Sequence, residues 1–231
     1  MQPIADKPAL ADAIVRPRII QMEITFKSYD ATESITRATH AIDSFEKTGN
    51  VYFLIYSALD TRLCIERTLF EYLVLIKTQD IPPRLERLYS ASDLKKAILK
   101  EEPVFFKKLE FLSLFVKYLP YEKEIVIPDL DLLSQTYGRA NDYLHCPKRP
   151  AKTWQNMDWW VPLERSLKQT IPHLVQILSS PMGHIDLNPM GVALFEKFVA
   201  GEITSDEVRK NLENIFKERP PIKVKVIRRE R

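Results

Sequence analysis

The chemistry that this sequence can support centres on an arginine and a histidine six positions apart, Arg139 and His145. Histidine titrates near neutral pH, so it can take a proton from a ribose 2′-hydroxyl or give one to a leaving oxygen. Arginine stays charged and can hold phosphate oxygens in a bidentate fork. Asn141, between them, supplies donors and an acceptor for positioning. These three side chains predict phosphodiester cleavage that requires neither a metal nor a cofactor.

The pair lies on a predicted helix that begins near Asp129 and ends near Cys146, because Pro147 disfavours the helical conformation of the residue before it. On an ideal helix the two side chains point about 120° apart, and the break at Pro147 allows His145 to swing toward Arg139. A structural interpretation stays open, since a histidine in the last turn is often a C-cap and an arginine opposite the apolar face is usually solvated. The predicted apolar face consists of Leu130, Leu133, Tyr137, Ala140 and Leu144.

A second predicted helix, over about residues 51–78, carries charges inside an apolar stripe. The stripe consists of Tyr52, Ile55, Leu59, Leu63, Phe70 and Leu73. Glu66 falls near its middle and Arg62 near its edge, and their four-residue separation lets them pair. A carboxylate that faces a core must be paired or hydrogen-bonded. The pair either locks helix packing or orients residues of a neighbouring helix, such as Arg139.

Composition and periodicity predict an all-α protein, a bundle of about five main helices with a small C-terminal helical hairpin. Only five glycines occur in 231 residues, which argues against a hairpin-rich β fold, and sixteen prolines separate the periodic apolar stretches. Ser92 is the expected N-cap of the helix that follows it. Helices are predicted at about 18–47, 51–78, 84–89, 93–102, 104–118, 129–146, 157–180, 190–200 and 205–218.

The predicted organisation has four parts. They are an N-terminal arm (1–17), a helical bundle (18–180), a helical hairpin (181–218) and a basic tail (219–231). The two cysteines form no CxxC pair, the first residues lack a signal-peptide pattern, and the most apolar stretch is too charged to span a bilayer. We therefore expect a cytoplasmic protein that has no membrane partner.

Over roughly residues 18–180, the chain resembles the HEPN superfamily. The resemblance rests on an all-helical bundle with the Arg139–His145 motif, and on Arg62 and Glu66 in the second helix. It implies a homodimer whose two motifs face one cleft. Active members are metal-independent endoribonucleases, often toxins or phage-defence effectors, which would make Arg139 and His145 the catalytic pair. In many of them a polar residue directly follows the arginine. In this chain Ala140 follows Arg139, and Asn141 comes one position later. Members with incomplete motifs serve as binding or scaffolding modules.

The expected partner is RNA. Glu66, Arg62 and Asp142 are predicted as supporting residues of the site. Three basic side chains are expected to guide RNA electrostatically: Lys148, Arg149 and Lys152. The net charge of +3 is too mild to imply nucleic acid by itself. Two alternatives remain: a non-catalytic helical oligomer that binds a protein or a nucleotide-like ligand, and an accessory subunit of a defence complex that acts through a partner from its own operon.

The C-terminal hairpin is similar to SHOCT-type short helical pairs. Gly201 is expected to end its first helix, and Thr204 or Ser205 is expected to cap the second with Glu207 or Asp206 nearby. Such a pair buries little surface alone, so it must dock on the bundle or on another subunit. The hairpin either mediates oligomerisation or is a generic helix–turn–helix element. The three tryptophans are predicted as core or interface anchors, with RNA stacking as the alternative: Trp154, Trp159 and Trp160.

Overall fold

Every regular element that the structure, a computed structural model, describes is a helix. It describes residues 31–77, 83–88, 90–117, 124–145, 155–180 and 189–217. The elements are α1 (Ala31–Thr48), α2 (Val51–Ile76), α3 (Pro83–Glu86), α4 (Ala91–Glu101), α5 (Phe105–Val116), α6 (Leu130–Leu144), a 3₁₀ turn (Met157–Trp159), α7 (Val161–Ser179), α8 (Pro189–Ala200) and α9 (Ser205–Lys217). The predicted all-α fold class is confirmed, whereas the predicted arm (1–17) and tail (219–231) lie outside the described residues. Among the described helices, none is both long and apolar enough to cross a membrane.

Two predicted helix starts were wrong. The N-cap of α4 is Ser90 rather than Ser92, because the Ser90 hydroxyl accepts the Asp93 backbone N–H at 3.1 Å. The predicted helix over 157–180 is a 3₁₀ turn followed by α7, and the two meet at Trp160. Helix α7 continues through Pro172, so that proline does not end it.

The first two helices form an antiparallel hairpin with a two-residue connection. Gly49 adopts φ +65°, a left-handed conformation that ends α1, and its N–H bonds the Phe45 carbonyl at 2.7 Å. The Asn50 side chain then caps α2 by accepting the Tyr52 N–H. The helices also bond across their interface, where the Ser57 hydroxyl donates to the Ala38 carbonyl at 3.0 Å. The predicted break between the helices at about 18–47 and 51–78 is thus confirmed.

Contacts divide the described helices into two compact units. The bundle unit contains α1, α2, α3, α4, α6 and α7, and the C-terminal unit contains α5, α8 and α9. The prediction had placed the α5 segment in the bundle, whereas its contacts group it with the C-terminal hairpin. The largest fully buried side chains of the bundle unit are Leu54, Ile65, Leu69, Leu73, Leu94, Ile98, Leu133, Trp160, Leu163, Leu167 and Leu174.

Helices α6 and α7 run antiparallel within the bundle unit, and a buried hydroxyl cluster joins them. Thr136 Oγ1 lies 2.9 Å from Ser166 Oγ and 2.7 Å from Thr170 Oγ1, and all three residues are buried. At the start of α6, the His173 Nε2 atom accepts the Asp129 backbone N–H at 2.9 Å. These bonds fix the position of α6 along α7, which matters because α6 carries the predicted site.

The C-terminal unit has an apolar core of its own. Phe111 and Phe198 lie with ring centroids 5.8 Å apart, and the core contains Phe111, Leu114, Phe198, Val208 and Leu212. Lys107 donates to the Val199 carbonyl at 3.2 Å, at the carboxyl end of α8. This cation offsets the negative end of that helix dipole. The pair α8–α9 therefore buries its apolar faces against α5.

Helix α9 begins with the capping box that the sequence predicts. Glu207 accepts the Thr204 N–H at 2.8 Å, and the Thr204 hydroxyl accepts the Glu207 N–H at 3.3 Å. Gly201 ends α8 with φ +76°, also as predicted. Hydrogen bonds from the Thr204 backbone and hydroxyl lower the pKa of Glu207.

We expect Glu207→Ala to fray the first turn of α9, because the Thr204 N–H loses its acceptor. The lowered pKa means that the Glu207 contribution is complete above the ordinary carboxyl pKa of about 4.3 and disappears as pH falls through the folded-state value. Backbone NMR chemical shifts of α9 across this pH range measure both effects. Glu213→Ala, an exposed change later in the same helix, is the control; equal fraying in both variants would contradict the prediction.

Candidate functional site

Helix α6 carries the predicted catalytic side chains, and both of its ends are capped. The Asp129 carboxylate accepts the N–H groups of Asp131 and Leu132 at 3.0 and 2.9 Å. At the other end, the His145 backbone N–H bonds the Asn141 carbonyl at 2.9 Å, which makes His145 the C-cap. The predicted helix end near the proline is confirmed to within two residues.

Arg139 lies at the first turn of α7. Its side chain is only partly exposed, and Nη1 donates to the Pro162 carbonyl at 3.3 Å. No carboxylate pairs with this guanidinium among the residues that the structure describes. The N-cap of α7, Trp160, makes no side-chain capping bond, and Glu164, in the first turn, pairs with Lys168 at 2.7 Å. The Arg139 guanidinium thus lies at an uncapped first turn of α7.

His145 is exposed at the end of α6, and its imidazole has no hydrogen-bond or ion-pair partner within the described ranges. Its backbone has left the helical conformation, with φ −94° and ψ 19°. The imidazole is therefore available to exchange a proton with a ligand. Its convergence with Arg139 on one pocket stays a prediction.

Asn141 belongs to a polar network that joins α6 to α2. Glu66 Oε1 accepts hydrogen bonds from Arg62 Nε at 3.1 Å and from the Tyr137 hydroxyl at 2.9 Å. The Arg62 guanidinium also lies over the Tyr137 ring, 5.3 Å from its centroid. Asn141 hydrogen-bonds the Tyr137 hydroxyl, while its Oδ1 atom is buried without a partner within the described chain. The intrahelical Arg62–Glu66 pair predicted from the sequence is confirmed.

The charge state of this network follows from its contacts. Partial burial raises the pKa of Tyr137, the bond to Glu66 raises it further, and the bond from Asn141 opposes the rise. Partial burial lowers the pKa of Arg62, but Glu66 and Tyr137 together outweigh it and leave that pKa raised. Tyr137 is therefore a neutral donor to a charged pair at neutral pH.

The neighbouring residue that Glu66 contacts is Tyr137, not Arg139 as suggested from the sequence. Arg139 turns away toward α7, because residues 137 and 139 point about 160° apart on an ideal helix. A signal for this arrangement exists in the sequence, since Tyr137 and Asn141 are four positions apart and share a helix face. Asp142, a predicted supporting residue, is exposed. The predicted RNA-guiding residues lie outside the described residues: Lys148, Arg149 and Lys152.

The apolar stripe predicted for α2 was largely wrong. Its exposed members, with exposed fractions in parentheses, are Tyr52 (63%), Leu59 (41%) and Leu63 (39%), and Tyr56 (58%) lies beside them. The buried face of α2 consists instead of Leu54, Ser57, Ala58, Thr61, Cys64, Ile65, Thr68, Leu69, Tyr72, Leu73 and Val74. The predicted face of α6 was mostly right: Leu130, Leu133, Tyr137 and Ala140 are buried, Leu144 is half-buried, and Thr136 and Tyr143 are buried in addition.

Sequence reasoning gave Tyr143 no role, although it anchors the surroundings of Arg139. Its hydroxyl donates to the Trp159 carbonyl at 2.5 Å, and its ring lies 4.3 Å from the Trp159 ring. Trp160 is buried, as expected for a core anchor, whereas Trp154 lies outside the described residues. The four-residue spacing of Arg139 and Tyr143 was the available signal.

Within the described residues, no three histidine, cysteine, aspartate or glutamate side chains come close enough together to hold a metal ion. The described side chains supply a guanidinium at the first turn of α7, an exposed imidazole at the end of α6 and, on the α2 side, a hydrogen-bonded amide. Comparison of the chain with family models, with curated proteins and with solved structures finds no match.

Proposed function

We propose that this chain is a HEPN-like, metal-independent endoribonuclease or RNA-binding effector of a toxin or phage-defence system, acting in the cytoplasm. The observation that carries the proposal is the position of Arg139 at the open first turn of α7, without an acidic partner in the described chain. A phosphate bound there could accept hydrogen bonds from the Arg139 guanidinium and from the N–H groups of the uncapped first turn. The arrangement therefore favours an anionic ligand.

The exposed imidazole of His145 extends this anion site to catalysis. Acting as a base, it takes the proton of a ribose 2′-hydroxyl, and the freed oxygen attacks the adjacent phosphorus. The bond from phosphorus to the 5′-oxygen breaks, and that oxygen takes a proton from water. The products are a 2′,3′-cyclic phosphate and a 5′-hydroxyl end. Arg139 stabilises the negative charge that builds on the phosphate oxygens.

Incubation of the purified chain with labelled single-stranded RNA in EDTA tests the proposal. Cleavage should persist, leave 2′,3′-cyclic phosphate ends, and vanish on a matched oligonucleotide whose 2′-hydroxyls are methylated. Cleavage that stops in EDTA, or that also cuts the methylated strand, would overturn the mechanism. Failure both to bind and to cleave RNA would overturn the function.

A second candidate function, a helical oligomerisation module, is favoured by the exposed face of α2. Tyr52, Tyr56, Leu59 and Leu63 recur at intervals of four, three and four residues, the spacing of a coiled-coil seam. Contiguous exposed apolar surface of this kind marks interaction sites. We propose that a second copy covers this stripe, so that two chains associate through α2.

Light scattering during size-exclusion chromatography tests this association. The wild type should elute as a dimer, and Leu59→Lys should elute as a monomer, because a buried lysine without a partner is costly. Leu99→Lys is the matched control, since Leu99 is a similarly exposed leucine on α4. A monomeric wild type, or a Leu59→Lys dimer as stable as the control, would reject the α2 interface.

A further inference from the structure

The start of α6 is held by a hydrogen bond to a side chain of a different helix. The Asp129 backbone N–H donates to Nε2 of His173, on α7, at 2.9 Å. A backbone amide nitrogen can only donate, so this imidazole nitrogen carries no proton. His173 is therefore neutral in this structure, with its proton on Nδ1. It makes no other hydrogen bond, ion pair or ring contact within the described chain.

The local sequence of α6 explains why this bond comes from another helix. The Asp129 carboxylate caps the helix by accepting the Leu132 N–H. In a capping box, the side chain of the third helical residue accepts the N–H of the cap residue in return, as Glu207 does for Thr204 in α9. The third helical residue of α6 is Leu132, which has no side-chain acceptor. His173 supplies the acceptor that the local sequence lacks.

No carboxylate lies within ion-pair distance of His173 among the described residues. The Asp129 carboxylate accepts N–H groups of the first turn instead, and the positive end of the α6 dipole disfavours a second positive charge beside it. An imidazolium at this position would therefore gain no ion pair in exchange for the lost hydrogen bond.

Helices α1, α2 and α6 pack against α7, and their charged groups have other partners or are exposed. The ion pairs are Arg37 with Glu33 and Asp60, Arg62 with Glu66, Arg67 with Glu71, Lys168 with Glu46 and Glu164, and Asp131 with Lys95 of α4. Arg139 bonds the Pro162 carbonyl. The exposed groups are His40, Asp43, Lys47, Asp142, His145 and Arg165.

We propose that His173 is an acid-sensitive latch on the first turn of α6. Above the range in which imidazoles ordinarily titrate, near pH 6.5, neutral His173 holds the Asp129 N–H. As the pH falls through that range, Nε2 gains a proton and can no longer accept, so the first turn opens. The opening stays local, because Leu133 is fully buried and Thr136 bonds the buried hydroxyls of α7.

The latch lies close to a connection between the two units. The chain returns from the C-terminal unit to the bundle unit at Val126, three residues before Asp129. The bond to His173 therefore secures the first helical turn after this return. The latch does not depend on the proposed action on RNA.

Two measurements on the full chain test the latch. Long-range proton–nitrogen NMR of the imidazoles at pH 7.5 should find the His173 proton on Nδ1. Hydrogen-exchange protection of the first turn of α6, corrected for intrinsic rates, should be about 2- to 10-fold lower at pH 5.5 than at pH 7.5, which is the worth of one hydrogen bond. The first turn of α2 is the internal control, because the Asn50 side chain that caps it does not titrate.

Variants assign the effect to one imidazole. His173→Gln keeps an acceptor at about the reach of Nε2 and cannot titrate, so the first turn should stay protected at both pH values. His173→Phe removes the acceptor and should lower the protection at both. His40→Gln, an exposed change on α1, is the matched control and should keep the pH dependence of the wild type.

A His173 proton on Nε2 at pH 7.5, or equal protection of the wild type at both pH values, would overturn the latch. A loss at pH 5.5 that His173→Gln shows in full would also overturn it, since another group would then be responsible. A loss that His173→Gln abolishes and His40→Gln keeps supports it. Circular dichroism verifies folding, and the comparison of the wild type with His173→Gln decides the matter should His173→Phe not fold.

Discussion

Replacing His145 by alanine should lower the rate of RNA cleavage about 10²- to 10⁴-fold, the usual contribution of a positioned general base. The loss should appear in kcat, because the imidazole acts on the transferred proton and contributes little to binding. Arg139→Ala should lower both kcat and the affinity for RNA, since its guanidinium binds the phosphate before and during the reaction. Arg139→Lys should restore only part of the rate, because an ammonium cannot form the bidentate fork.

Single-turnover cleavage of labelled single-stranded RNA in EDTA measures these rates. His40→Ala is the matched control, since His40 is an exposed histidine on α1 of the same unit. It should cleave at the wild-type rate. Circular dichroism verifies that each variant folds. Wild-type cleavage by His145→Ala would remove this residue from the mechanism and leave the structural interpretation, a simple C-cap of α6.

The second large effect concerns stability. Thr136→Val should lower the free energy of unfolding of the bundle unit by about 2–5 kcal/mol, because it leaves the buried hydroxyls of Ser166 and Thr170 without their shared partner. Removal of all three hydroxyls in Thr136→Val, Ser166→Ala and Thr170→Val should cost less than the single change. In the triple variant no hydroxyl of this cluster is left buried without a partner.

Tryptophan fluorescence during urea unfolding isolates this unit. All three tryptophans of the chain lie in the segment 126–181, so the C-terminal unit contributes no tryptophan signal. Ser113→Ala in the C-terminal unit is the control and should leave this transition unchanged, because that hydroxyl bonds only its own helix, at the Glu110 carbonyl. A triple variant less stable than Thr136→Val would contradict the hydroxyl-cluster argument.

The contacts around the proposed site join residues that are separated by very different distances along the sequence. Arg62 and Glu66 are four residues apart on one helix, so their pairing follows from helix geometry alone. Tyr137 reaches Glu66 across 71 residues, and only the packing of α6 on α2 brings them together. The packing of α6 on α7 brings Arg139 to Pro162, 23 residues further along the chain. Helix periodicity predicted the Arg62–Glu66 pair but not the contacts of Tyr137 and Arg139, because it orders side chains around one helix and leaves the partner helix undetermined.

The stripe of α2 illustrates the same limit. Both faces of this helix carry apolar residues at helical spacing, so the pattern alone could not decide which face the core covers. The structure buries Leu54, Ile65 and Leu69 and leaves Tyr52 and Leu59 exposed. Periodicity measures how apolar a face is, whereas burial depends on which neighbour is present to cover it. The tyrosine hydroxyls on the exposed side could have favoured the observed choice.

By itself, the amino-acid sequence determined the all-α class, most helix ends and the local caps, because these depend on residues within about one turn of each other. Gly49 and Asn50 end and begin helices, and Thr204 and Glu207 cap α9, without help from distant parts of the chain. Only the tertiary structure decided that α5 joins the C-terminal unit, that Glu66 holds Tyr137, and that Arg139 meets the first turn of α7. The physical reason is that these choices depend on complementary packing between surfaces far apart in sequence, which no local pattern encodes.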